Sequence, residues 1–178
     1  MRNKTSAKTL PKTRNLVVKK SSFLEDQLGV FAKKPFKKNK KLFLVKGPIN
    51  PKPSIYSFSI GLNQHIEPKN DKGDFDFGHY TNHSCDPNTV IRIINKKGTT
   101  PYIKVIARKN IKKGEELTFD YASLEYVTLA NSICKCHTKN CRGIIHGFKE
   151  LPSDIAKKYE KEGMIPQYLL DIKNENLR

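Results

Sequence analysis

Hydrophobic residues fall in short runs broken by polar turns, and no helical period appears until late in the chain. Leu16-Val17-Val18, Leu28 to Ala32 and Leu42 to Val45 read as short strands. Between Ile55 and Ile60, Tyr56, Phe58 and Ile60 alternate with Ser57 and Ser59, the mark of a half-buried strand. Residues 89–94 and 101–107 are β-branched runs joined by Asn95-Lys96-Lys97-Gly98-Thr99-Thr100, which predicts a hairpin with a Gly-containing loop. Glu115 to Phe119 predicts a further strand after a turn at Gly114. One helix is expected over residues 154–162, capped by Ser153 and ended by Gly163, with Pro166 forbidding simple continuation. Its amphipathicity is weak, so it reads as a packing appendage. Many short strands and few helices predict a mainly β fold.

One internal echo stands out. Residues 32–42 read A-K-K-P-F-K-K-N-K-K-L, and residues 107–117 read A-R-K-N-I-K-K-G-E-E-L. Each places a basic turn between two short strands. Asn39 and Gly114 share the matching turn position, and these residue types tolerate positive φ best. Two unrelated turns of similar composition would read the same way.

Composition narrows the class. A length of 178 residues suits one domain with tails. A chain of this size buries roughly 70 % of its unfolded surface. Seven Tyr and nine Phe argue against whole-chain disorder. Lys and Arg number 34 against 17 acids, a net charge of +17, of which +12 lies in the first 49 residues. That field attracts polyanions or acidic protein surfaces; a solubilising basic leader would carry the same charge. Residues 1–15 read as a flexible basic arm. No stretch approaches the roughly 20 apolar residues of a membrane helix, so no membrane partner is expected. The N-terminus lacks the apolar core of a secretory signal, and it is Lys-rich where a mitochondrial leader is Arg-rich. The expected setting is an intracellular, reducing compartment, cytoplasm or nucleus, with delivery into a host cell left open.

Four Cys in such a compartment point to a metal. Cys134, Cys136 and Cys141 cluster, and Cys85 lies 49 residues upstream. Zinc takes four tetrahedral ligands and thiolates suit it. Lys135, Lys139 and Arg142 would offset the charge of four thiolates. His146 or His137 could instead supply the fourth ligand, and buried free thiols are the lesser alternative to a metal site.

Two further segments carry candidate chemistry. His79-Tyr80-Thr81-Asn82-His83-Ser84-Cys85-Asp86-Pro87-Asn88 is dense in hydrogen-bonding groups and reads as a loop built for a ligand or for turn chemistry. Gly114-Glu115-Glu116-Leu117-Thr118-Phe119-Asp120-Tyr121 ends a strand in an aromatic-acid-aromatic run. Taken singly, Phe119 and Tyr121 are ordinary core aromatics.

The ordered combination N-H-S-C-x-P-N, then G-E-E-L-T-F-D-Y, then C-x-C-x4-C-R-G resembles the SET-domain protein lysine methyltransferases with a post-SET zinc segment. Leu28-Gly29-Val30-Phe31-Ala32 looks like that family's N-terminal glycine motif, and the resemblance covers roughly residues 16–147. It implies a fold of small curved β-sheets with pseudoknot-like C-terminal threading and a short C-terminal helix. The implied division is a SET domain at 16–125, a post-SET segment at 126–147 and a helical tail at 148–178. The implied activity is methyl transfer from S-adenosylmethionine to a lysine ε-amine of a histone or other basic protein. By the same resemblance Tyr121 is the central catalytic residue, with Tyr56 and Tyr80 as channel walls. Leu28, Gly29, Val30, Asn82, His83 and Tyr121 would meet the donor. Phe119 would leave room for more than one methyl. Cys85 would join Cys134, Cys136 and Cys141 around zinc, with His146 outside. Two departures are visible: Gln27 stands where the family usually has a first Gly, and His79-Tyr80 stand where it often has Arg-Phe. The competing functions are a non-catalytic zinc-containing module binding nucleic acid through its basic arm, and a degenerate SET domain without donor binding. On the enzyme reading, residues 1–24 and the turn at 33–46 would dock on nucleic acid that accompanies a basic substrate.

Overall fold

Alternation decides the strands. In the strand Tyr102–Ala107, Ile103, Val105 and Ala107 are buried while the residues between them are half-covered. The same logic yields ten strands in a computed structural model that describes residues 10–175. They are β1 (Leu16–Lys20), β2 (Leu28–Ala32), β3 (Lys41–Val45), β4 (Ile49–Asn50), β5 (Phe58–Gly61), β6 (Gln64–Ile66), β7 (Asn82–His83), β8 (Thr89–Ile94), β9 (Tyr102–Ala107) and β10 (Glu116–Phe119). Two helices follow, α1 (Ser153–Lys161) and α2 (Gln167–Glu175). The fold is mainly β, as the sequence predicts.

The strands form three small sheets, ordered β1-β2-β10-β7, β3-β9-β8 and β4-β6-β5. In the first, β10 threads between two strands laid down much earlier. It runs antiparallel to β2, with Leu117 opposite Val30, and parallel to β7, with Thr118 opposite Asn82 and Phe119 opposite His83. The loop after β7 is stitched to β10 as well. Asn88 donates to the Glu116 carbonyl at 2.8 Å and accepts from the Thr118 amide at 2.9 Å, and the Thr89 hydroxyl donates to the Thr118 carbonyl at 2.8 Å. The expected hairpin is β8–β9, in register from Thr89–Ala107 to Ile94–Tyr102.

The sequence echo is structural. The two basic turns lie side by side, Phe36 and Ile111 exchanging main-chain hydrogen bonds at 2.8 and 2.9 Å. The Gly114 amide donates to Ala32 and the Asn39 amide to Ala107, each at 2.8 Å. The Ala32 amide donates to Glu115 and the Ala107 amide to Lys40, at 3.0 and 2.9 Å. Each bond has its image at the equivalent pair, so the turns form a local two-fold. Asn39 and Gly114 both adopt positive φ, 66° and 86°.

Some expectations shift. Residues 1–9 of the expected flexible arm lie outside the described residues. The rest of it folds back on β1, through a Lys12–Val17 bridge and a Thr13 amide bonded to the Leu16 carbonyl at 2.9 Å. The strand expected from Ile55 begins only at Phe58, because Ser54 and Ser57 close a turn through main-chain and hydroxyl bonds. The helix starts one residue early, with Pro152 in the cap position, and Gly163 at φ 61° ends it. Pro166, beyond the end of that helix, immediately precedes a second one, α2.

The tail is no appendage. One core lies between the sheets, around Val30, Val45, Ile103, Val105, Leu117 and Phe119. A second joins Ala156, Tyr159 and Leu169 of the helices to Val90 and Ile106 of the β8–β9 hairpin and to Ala122 and Phe148. Adjacent residues Val90 and Ile91 face different cores, the expected consequence of strand alternation. Leu169 is fully buried in the second core. Leu169→Ala should therefore lower the unfolding free energy by about 2–5 kcal/mol, measured by urea denaturation.

Candidate active site

The motif residues are first of all held by one another. β10 ends at Phe119, and a single 3-10 turn, residues 121–123, follows at once. Asp120 starts that turn by accepting the Ala122 amide at 3.1 Å. Its fully buried carboxylate also takes two parallel hydrogen bonds from the Arg142 guanidinium, at 2.7 and 2.8 Å. The Tyr159 hydroxyl of α1 donates to the same carboxylate at 2.9 Å. Asp120 thus fastens the Cys-rich segment and the C-terminal helix directly behind Tyr121.

His83 has both ring nitrogens engaged. Nδ1 accepts the Tyr121 amide at 3.3 Å, and Nε2 faces the Cys85 sulfur at 3.4 Å. A ring that accepts at Nδ1 carries its proton on Nε2, so His83 donates to Cys85. Asp120 lies 3.6 Å from Nδ1, close enough to pair with a protonated ring. Burial outweighs that attraction and pulls the His83 pKa down to about 4, so the ring is neutral.

The four cysteine sulfurs lie within 4.8 Å of one another. Cys85 and Cys134 are 3.7 Å apart. Tetrahedral zinc with 2.3 Å bonds to sulfur demands edges of about 3.8 Å. The set therefore fits zinc, and neither His137 nor His146 belongs to it. Cys85 also receives the Arg142 amide at 3.4 Å, so two N–H groups face its sulfur. Burial raises its pKa to about 11, so a metal entering this site must displace a proton.

Glu116 anchors the other side. Its carboxylate accepts from the Ser22 amide and hydroxyl, both at 2.7 Å, from the Ser21 hydroxyl at 3.0 Å, and from Asn82 Nδ2 at 2.8 Å. Asn82 Nδ2 also donates to the Leu28 carbonyl at 3.0 Å. A Cβ on Gly29 would overlap this carboxylate. The glycine is thus required for Glu116, a residue the sequence reading left unassigned.

Two open cavities, of about 450 and 480 Å³, adjoin at Asp26, Gln27, Asn82, Tyr121, Ala130 and Ser132. The first extends over Glu25, His83, Cys134 and Cys136; the second over Leu28, Tyr56, His79 and Tyr80. A third space, only about 30 Å³, is walled by Tyr56, Phe58, Phe119, Tyr121 and Glu125. Tyr121 borders all three, and burial raises the pKa of its phenol, which stays neutral. Phe119 stacks on Phe58 at 5.2 Å and meets Tyr121 at 4.8 Å between ring centres.

The expected residues separate on this geometry. Tyr56, Phe119 and Tyr121 meet at the narrow space, whereas Tyr80 lines only the wider cavity. Leu28 reaches a cavity, while Gly29 and Val30 are buried in the sheet without lining one. Asn82 and His83 border the first cavity with their side-chain donors already spent. His79, at the departure from Arg-Phe, packs in an aromatic group, 3.7 Å from Phe75 and 4.1 Å from Tyr56 between ring centres. Besides Glu116, three residues were missed: Arg142 as partner of Asp120, Tyr159 and Glu125. Arg142 had a signal, its place in C-R-G; Tyr159 and Glu125 lie in no motif.

Residues 27–122 match the SET-domain family. A probable histone-lysine N-methyltransferase, set-23, of Caenorhabditis briggsae is 30% identical over 106 residues, covering 56% of this chain and 42% of its own. Histone-lysine N-methyltransferase ASHH2 of Arabidopsis thaliana is 27% identical over 154 residues, 86% of this chain and 8% of that one. The crystal structure of KRYPTONITE in complex with mCHG DNA and SAH superposes with a TM-score of 0.61 at 21% identity, covering 76% of this chain and 30% of that one. At that identity the likeness concerns the fold. The chain spans less than half the length of these relatives.

Asp120→Asn keeps the shape at the centre of this site but leaves the Arg142 charge buried without its partner. It should cost about 3–5 kcal/mol of stability in urea denaturation, far more than an exposed ion pair would.

Proposed function

The chain belongs to the SET-domain family, and from that premise we propose that it transfers a methyl group from S-adenosylmethionine to the ε-amine of a lysine in a protein substrate. The observation that carries this reading is the position of Tyr121, on the common wall of two wide cavities and one narrow space. Each wide cavity falls in the size range of small-molecule sites. The narrow space is about one water's share of volume, suited to an amine head in an aromatic sleeve.

The donor supplies an electrophilic methyl on a cationic sulfur. Around it the chain's residues have definite work. Glu25, Asp26 and Gln27 line the donor cavity with Asn82, and two of the three are acids facing a cation. The neutral Tyr121 hydroxyl orients the amine at the junction. An amine with a pKa near 10.4 in water must lose its proton to attack, and an apolar sleeve favours that loss. Holding amine and methyl in line supplies much of the acceleration. Zinc held by Cys85, Cys134, Cys136 and Cys141 as thiolates would fix the segment carrying Ala130–Cys136 as one wall. The protein works in a reducing compartment that keeps those thiols available.

Phe119 places a ring without a hydroxyl beside Tyr121, which leaves space for a methylated amine to turn. With labelled donor and core histones, wild type should add more than one methyl group. Tyr121→Phe should lose at least about 100-fold in rate, and Phe119→Tyr should shift products toward monomethyl-lysine in mass spectra. Full activity in Tyr121→Phe would reject the enzyme reading.

The paired turns favour a nucleic-acid contact in addition. Lys34, Lys37, Lys38, Lys40 and Lys41 are exposed on one turn, and Lys112 and Lys113 on its two-fold mate. Such a surface suits the phosphates that accompany a basic substrate. Duplex DNA binding should weaken steeply between 50 and 200 mM salt, measured by fluorescence anisotropy, and charge reversal at Lys37, Lys38 and Lys112 should flatten that dependence.

A further inference from the structure

We infer that Glu125 receives the substrate ammonium at the mouth of the narrow space and takes its proton. The inference rests on the methyl-transfer reading above.

Glu125 stands where two spaces meet. On one side is the sleeve of Tyr56, Phe58, Phe119 and Tyr121. On the other is a groove of about 280 Å³ between β5–β6 and α2, lined by Ser59, Leu62, His65, Val127, Leu129 and Tyr168. Glu125 and Ser57 are the residues common to both linings. The groove is mostly apolar, and Glu125 is the one charged group on the wall it shares with the sleeve.

The position is rigid. The Glu125 amide donates to the Tyr121 carbonyl at 2.9 Å, and its carbonyl accepts the Phe148 amide at 2.7 Å. Thr128 hydrogen-bonds the carboxylate. Glu125 is therefore one 3-10 turn from Tyr121, tied to it through the main chain.

The charge is unanswered. Among the described residues, neither lining contains Lys or Arg, and Glu125 is the only acid in each. It forms no ion pair with a described residue. The titratable groups around it are Tyr121 and Tyr168, whose phenols burial keeps neutral, His65, whose pKa burial lowers, Tyr126 on the groove, and Tyr56 and His79 across the sleeve. Burial raises the Glu125 pKa to about 7. A half-buried carboxylate with no cation of its own is matched by an ammonium arriving from the groove.

The step balances simply. An N–H bond of the ammonium breaks and an O–H bond forms on Glu125, leaving a neutral amine and a neutral acid. The freed lone pair attacks the methyl carbon, and the electrons of the breaking carbon–sulfur bond stay on sulfur. The proton on Glu125 then leaves through the open groove, so each turnover releases one proton.

Full-length protein, core histones and labelled donor test this across pH 6 to 9. The carboxylate form is the active one, so wild-type kcat/KM should rise with pH through about 7. Glu125→Gln keeps a partner for Thr128 but should lose about 10- to 100-fold in kcat/KM and lose that limb; Glu125→Asp should keep the limb. Wild-type kcat/KM with an unchanged limb in Glu125→Gln would overturn the inference. If wild type transfers no label, the methyl-transfer reading has failed, and a second measurement decides about Glu125 alone. Carbon NMR of wild-type carboxyls should show one titrating near 7, moved to lower pH by n-butylammonium and not by n-butanol. A titration indifferent to n-butylammonium overturns the inference whatever the variants do.

Discussion

The buried carboxylate of Asp120 is the constraint on which the rest hangs. Taking a carboxylate and a guanidinium out of water costs several kcal/mol each, and only close, complete hydrogen bonding recovers it. Here the recovery comes from elements far apart in sequence: Arg142 beside the last cysteine, Tyr159 on α1, and the Ala122 amide of the local turn. Since Asp120 immediately precedes Tyr121, the site cannot settle until the tail has packed behind it. Substitution of the pair by apolar residues could match its stability. What an apolar pair could not supply is direction: a bidentate fork accepts one orientation of the Cys-rich segment.

The same economy governs the other motif residues. Asn82, His83 and Glu116 look like ligand-binding groups by type, yet their side chains are engaged with the protein. Asn82 bridges the Leu28 carbonyl and Glu116, and His83 bridges the Tyr121 amide and Cys85. These bonds join β2, β7, β10 and the four-cysteine cluster into one frame. The frame's open faces are left to other groups, among them Tyr121, which borders all three spaces. A neutral His83 suits that task, because a ring that gained charge at ordinary pH would change the pull on both Asp120 and Cys85.

Much of this was legible from residues alone, for definable reasons. β2 and β8 begin and end where the apolar runs do, because each run is flanked by turn residues. The four-thiol set follows from resemblance, and the geometry agrees. β4, β6 and β7 were invisible, being two or three residues long, below any periodicity. Pro166 was read as a stop, and the helix that starts just after it was missed, since one residue type serves both ends. Gly29 was assigned to close approach by a ligand; it makes room for a carboxylate 87 positions away, which only the fold reveals. Tyr159 and Glu125 lie in unremarkable stretches, and their partners come from tertiary packing.

The net charge of +17 takes on a different meaning beside this site. In the proposed reaction both the donor and the lysine side chain are cations, and a basic protein tail is repelled by a basic surface. Yet the only acids among the first 49 residues, Glu25 and Asp26, line the cavity that also holds Asn82 and His83, and Glu125 is the only acid lining the groove. Surface lysines on the paired turns act through salt solution, where charges fade over about 8 Å. Acids within a cavity act at contact and through less water, where each is felt more strongly. So long-range charge and site charge have opposite signs without conflict. The lysine surface faces the solvent, while Glu25, Asp26 and Glu125 line the cavities where the proposed reaction would bring two cations together.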